Sequence, residues 1–147
     1  MKREISRVVA ILCVLLTFTL PCFAEFQPDS NRWLWCGSTD ERGIWLDSYS
    51  VYERPTTKGD IRVYIWALFY YITPTERIEK IQYAIDLKKR QFSIREYIKQ
   101  DMKGNIVDWA TNTSPSKSPI VPGTLSETLY CFAELHHLTY TQSHNIQ

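Results

Sequence analysis

The stretch from Ile61 to Tyr71 (IRVYIWALFYY) constrains this chain more than any other. Ile61, Val63, Ile65, Ala67 and Phe69 recur at every second position, with Arg62, Tyr64, Trp66, Leu68 and Tyr70 between them. A pleated strand puts alternate side chains on opposite faces, so this period of two, rich in β-branched and aromatic residues, specifies a long strand. One face is purely apolar and must be buried. The other is aromatic rather than charged, so it is suited either to being covered or to docking something.

A strand of that length needs partners, and the surrounding sequence supplies them. Arg32-Trp33-Leu34-Trp35-Cys36 and Ile44-Trp45-Leu46-Asp47 read as short strands around the turn-type cluster Gly37-Ser38-Thr39-Asp40. Arg54 to Asp60 (RPTTKGD) is a turn by composition. Lys80 to Asp86 alternates again, and Lys88-Lys89-Arg90 reads as a solvated hairpin turn. Gln91 to Gln100 fits helix or strand by periodicity alone, and its place after that turn favours the second arm of a hairpin. Asp101 to Asn105 makes the next turn, Ile106 to Ala110 a last strand, and Thr111 to Pro119 a Ser/Thr/Pro loop.

A single helix follows. Thr124-Leu125-Ser126-Glu127 fits a capping box, with the Thr124 hydroxyl on the Glu127 amide and the Glu127 carboxylate on the Thr124 amide. Leu125, Leu129, Phe132, Leu135 and Leu138 form a stripe of helical spacing suited to lying on a sheet. The spacing predicts a helix from Leu125 to His136 or His137, with 139–147 as a flexible tail.

Residues 1–24 read as a cleaved signal peptide. Lys2, Arg3 and Arg7 form a basic start, Val8 to Leu20 an uncharged run too short to span a bilayer comfortably, and Pro21 a helix stop before Cys22-Phe23-Ala24. Cleavage after Ala24 is expected. Lipidation at Cys22 is the weaker reading, because Pro21 precedes it where a small residue is wanted. The mature protein is then one domain, 25–138, plus the tail, destined for the periplasm or cell surface. It would keep Cys36 and Cys131, which in an oxidising compartment can pair or can remain as buried free thiols.

Composition narrows the function. The 147 residues carry a formal charge of +1, which lacks the basic surplus of a nucleic-acid binder. Loss of Lys2, Arg3, Arg7 and Glu4 with the signal would bring the charge to about −1. There is no Gly-x-Ser-x-Gly elbow, no His-Glu-x-x-His and no phosphate-cradling glycine loop. His136, His137 and His144 sit at the C-terminal end without a carboxylate or Cys at ligand spacing, so they read as solvated. No catalytic residue, cofactor or metal site is expected. Trp33, Trp35, Trp45 and Trp66 read as core, with an aromatic ligand platform as the alternative.

Five segments in order carry a resemblance. They are Arg32-Trp33-Leu34-Trp35, Trp45-Leu46-Asp47-x-x-Ser50-Val51, Val63-Tyr64-Ile65-Trp66, Tyr83-Ala84-Ile85-Asp86 with Lys89-Arg90-Gln91-Phe92, and Ile120 to Cys131 (IVPGTLSETLYC). Together they resemble the surface-adhesin protein E family of small exported bacterial proteins. The resemblance implies an α+β domain, an antiparallel sheet of about six strands with a C-terminal helix packed across it. It also implies attachment to host extracellular-matrix or plasma proteins. Many members place a Cys after the strand Asp to pair with the helix Cys, whereas Leu87 stands there in this chain. The bridge expected here is therefore Cys36–Cys131.

The expected function is binding without chemistry. If the helix covers Val63 and Ile65, the opposite face, with Tyr64, Trp66 and Tyr70, is the candidate surface. If it covers Tyr64 and Trp66 instead, contact falls to the loops. The alternative function is a periplasmic structural or envelope-associated protein with no adhesive role.

Overall fold

The computed structural model describes residues 26–72 and 76–144, so the signal-peptide reading falls outside the described residues. Eight strands form one antiparallel sheet: β1 (Trp33–Ser38), β2 (Arg42–Asp47), β3 (Tyr52–Pro55), β4 (Ile61–Tyr71), β5 (Arg77–Asp86), β6 (Gln91–Gln100), β7 (Ile106–Thr111) and β8 (Ser118–Pro119). A single helix, α1 (Leu125–His144), ends the described chain. The main path through the sheet is β1-β2-β4-β5-β6-β7, with β3 pairing β4 and β8 pairing β6. This is the expected α+β architecture, six strands in the continuous path and two short ones added at its sides.

The β4 alternation sets the register of the whole sheet. β4 pairs β5 from Arg62↔Asp86 to Tyr71↔Arg77, and β5 continues into a hairpin with β6 across the Lys88–Arg90 turn. Charges in that turn are engaged, since Lys88 Nζ lies 2.9 Å from Asp60 and the Arg90 guanidinium stands over the Tyr130 ring. On its other side β4 meets two strands end to end. β2 lies opposite Ala67–Tyr71 and β3 opposite Ile61–Tyr64, with 48–51 looping out between them. Composition alone begins the turn at Arg54, yet Arg54 and Pro55 still pair with Arg62 and Ile61. Pro55 ends its strand at a sheet margin, where no ladder N–H is required of it.

α1 lies on the face that carries Val63, Ile65, Ala67 and Phe69. These pack beside Ile44, Leu46, Tyr83 and Ile85, their neighbours on the same face of β2 and β5, and under Leu129, Tyr130 and Ala133 of the helix. The other face holds a smaller cluster of Trp45, Leu68 and Tyr70, over which Phe26 and Trp33 fold. The Phe26 ring stacks on Tyr70 at 4.7 Å and meets Trp45 edge-on at 5.8 Å.

Three features of the helix differ from expectation. It runs on to His144, well beyond His137. Its buried line is Leu129, Tyr130 and Ala133, while Leu135 and Leu138 are exposed. A stripe stepping by four from Leu125 arrives at Ala133 and then His137, which displaces the leucines from the sheet side. His136 and His137 are consequently half-buried instead of solvated, their Nδ1 atoms 3.6 and 3.0 Å from Glu53 on β3. That contact fastens the C-terminal half of the helix to the sheet. The cap is also redistributed: Glu127 accepts from the Gly123 amide at 2.8 Å, and the Thr124 hydroxyl accepts from the Ser126 amide at 3.3 Å. Gly123, at φ +73, supplies the left-handed residue that turns the chain into the helix.

The expected Cys36–Cys131 bridge is absent; both thiols are free. Cys36 packs against the core beneath the helix, and burial pushes its thiol above the ordinary value. Cys131 is exposed. It lies two residues past Leu129, or about 200° around the helix, so it points away from the sheet once Leu129 points in.

Candidate functional site

The sheet face opposite α1 is assembled around a buried acid. Asp47 closes β2 where the chain loops out before β3, and its side chain is only 1% exposed. Arg32 grips it from the lead-in to β1: Nε donates to both carboxylate oxygens at 3.0 Å and Nη2 to Oδ2 at 2.6 Å. The Tyr49 amide adds a bond at 3.0 Å. Burial pushes the Asp47 carboxyl up, but the Arg32 guanidinium, the Ser50 side chain and the Tyr49 amide together outweigh it and hold the group below the ordinary carboxylate value. This arrangement is the physical content of the Arg-Trp-Leu-Trp and Trp-Leu-Asp-x-x-Ser segments: one supplies the cation, the other the acid and its turn.

Beside this pair, Trp33, Trp66, Lys80 and Ile98 complete a half-open cavity of about 210 Å³. Partial burial and the neighbouring Arg32 guanidinium pull the Lys80 ammonium below its ordinary value. Further along β4, Tyr64 and Tyr52 stack with ring centroids 4.8 Å apart and planes 2° from parallel. The Arg54 guanidinium lies over both rings, at 5.1 and 5.8 Å. Register carries the face outward across the hairpin, since Leu68 pairs Lys80, Lys80 pairs Ile98 and Ile98 pairs Trp109. Trp109, on the margin strand β7, is 66% exposed.

Of the three expected surface residues, the structure brings Tyr64 and Trp66 onto this face, both half-buried at their edges. Tyr70 is corrected: it is 3% exposed beneath Phe26 and belongs to the second cluster. The four tryptophans divide as well. Trp45 is core, Trp35 is exposed and meets Trp45 edge-on at 4.7 Å, and Trp33 and Trp66 border the cavity. Arg54, Lys80 and Trp109 were not singled out from the sequence, although the period of two in β5 and β7 places Lys80 and Trp109 once register is known.

Among the described residues, no group of three His, Cys, Asp or Glu side chains is placed to hold a metal ion. None of the described helices is long and apolar enough to cross a membrane. The fold and this face define an α+β domain built on an open antiparallel sheet, with one face under a helix and the other carrying aromatic and cationic side chains. No family model, curated protein or solved structure matches the chain.

Proposed function

We propose that this protein is an exported, non-catalytic binding domain, similar to the surface-adhesin protein E family, that docks host extracellular-matrix or plasma proteins. The observation that carries the reading is the sheet face opposite the helix, where Tyr52, Tyr64, Trp66 and Trp109 alternate with Arg54 and Lys80. Aromatic rings bury large area at low rotamer cost, and flanking cations orient an acidic or carbonyl-rich partner. Margin strand β7 adds unpaired backbone groups and exposed Ile106, Val107 and Trp109, to which an extended segment of a partner can add as a further strand.

The test is a panel of immobilised matrix and plasma proteins probed with the purified protein. Saturable binding that Trp66→Ala and Trp109→Ala each weaken, with the fold retained, supports the reading. A panel without saturable binding removes it and leaves a periplasmic structural role. Near-zero net charge further predicts only mild loss of binding between low and physiological salt.

A further inference from the structure

The helix-bearing face is not fully sealed. Between α1 and β6 it holds a cleft of about 540 Å³, within the range of small-molecule sites. Its walls are chiefly apolar: Phe92 and Ile94 from β6, Pro119 from β8, and Val121, Leu125 and Leu129 from the helix entry and first turns. Two of its polar groups are already used locally, since Ser126 Oγ accepts from the Val121 amide and the Thr124 hydroxyl donates to the Val121 carbonyl.

Two others are not satisfied in that way. Arg42, from β2, donates through Nη1 to the Tyr71 hydroxyl at 3.0 Å, and its guanidinium lies over the Phe69 ring at 5.3 Å. Among the described residues no carboxylate pairs with it, although it borders an apolar cleft. Tyr83, from β5, is 7% exposed, lines the same cleft, and has no hydrogen-bond partner for its hydroxyl among the described residues. Burial pushes that phenol up to about 12, so it keeps its proton and remains a donor. The Arg42 guanidinium and the Tyr83 hydroxyl thus present a positive charge and a donor beside apolar walls, complementary to an anionic head that carries an apolar chain.

We propose that this cleft binds a small anionic amphiphile, a medium-chain carboxylate. Its chain lies along Phe92, Ile94, Val121, Leu125 and Leu129, and its head accepts from the Arg42 guanidinium and the Tyr83 hydroxyl. One cation balances one negative charge, and the two carboxylate oxygens meet the two donor groups. A neutral alcohol would leave Arg42 without a counter-charge. A cationic amphiphile would set like charges together in a site of low polarity. The cleft is on the opposite side of the sheet from Trp66 and Tyr64, so this inference stands apart from the docking surface.

Isothermal titration of the purified protein with decanoate tests it, with decan-1-ol and decylammonium as head-group controls. Decanoate should bind saturably at one per chain, at least ten-fold tighter than decan-1-ol. Arg42→Met should weaken decanoate at least ten-fold and erase that preference, and Tyr83→Phe should weaken it several-fold. Ile94 is 41% exposed, so Ile94→Asp should leave thermal unfolding unchanged while weakening decanoate at least ten-fold. If Arg42→Met fails to fold, Ile94→Asp and the head-group preference of the unaltered protein decide the matter. Equal affinity for alcohol and carboxylate, no saturable binding, or a folded Arg42→Met with unchanged affinity would overturn the proposal.

Discussion

Replacing Arg32 with alanine should destabilise the domain by about 1.5–3 kcal/mol. The figure follows from what Asp47 loses. Its enclosed carboxylate keeps the Tyr49 amide but gives up all three contacts from Arg32. Breaking a fully buried pair by removing one partner costs about 3–5 kcal/mol. Arg32, however, is 47% exposed, so water screens the pair and partly replaces the missing donor. The lower range of a charge-assisted hydrogen bond is therefore the appropriate one. At about 4 °C per kcal/mol for a domain of this size, the melting temperature should drop by about 6–12 °C.

The assay is urea unfolding followed by tryptophan fluorescence for the wild type, Arg32→Ala, Asp47→Asn and the double variant. Removing the charge of Asp47 removes the reason Arg32 is needed, so the double variant should be less destabilised than the sum of the singles by about 1 kcal/mol or more. A pH series adds a second readout. Asp47 titrates in the folded state below its unfolded value, so its stabilisation is complete above the ordinary carboxylate range, near 4, and is lost as pH falls through that range toward the lower folded value. Asp47→Asn should flatten the acid limb of the stability curve, and Arg32→Ala should flatten it as well, because without the guanidinium burial raises the folded value of Asp47 toward its unfolded one. An Arg32→Ala variant within 0.5 kcal/mol of wild type, or a strictly additive cycle, would refute the reasoning.

Gly43→Ala should destabilise by about 1–3 kcal/mol in the same assay, because a Cβ there would sit 2.6 Å from the Trp45 ring and 3.1 Å from that of Trp35. Tyr70→Ala should cost about 3 kcal/mol or more by emptying the space beneath Phe26. Trp109→Ala should change stability by less than about 0.5 kcal/mol, and calorimetric melts of the two variants separate core from surface. Unfolded, non-reduced protein should take up a thiol label at both Cys36 and Cys131, read by peptide mass. In the native state Cys131 should react well before Cys36, which is shielded by the core and has its thiolate disfavoured by burial; a single slow phase for both would contradict the assigned environments.

Local pattern determined the elements whose periodicity is set by neighbours close in sequence. The alternation of Ile61–Tyr71 fixed the central strand and which of its faces would be apolar, and the charged turn at Lys88–Arg90 fixed the β5–β6 hairpin. Turn chemistry at Pro122-Gly123 placed the start of the helix. Tertiary structure decided what depends on rotation and on distant partners. The helix could present either Leu135 and Leu138 or Ala133 and His137 to the sheet, and Glu53 on β3 favours the second choice by receiving the two histidines. That rotation turned Cys131 outward and left Cys36 unpaired, a result that two cysteines in a sequence do not encode. Tyr64 and Tyr70 share one face of one strand, yet the lead-in segment reaches only Tyr70, so burial separated residues that periodicity treated alike. Faces follow from a local steric period, whereas what covers a face depends on segments far away in the chain.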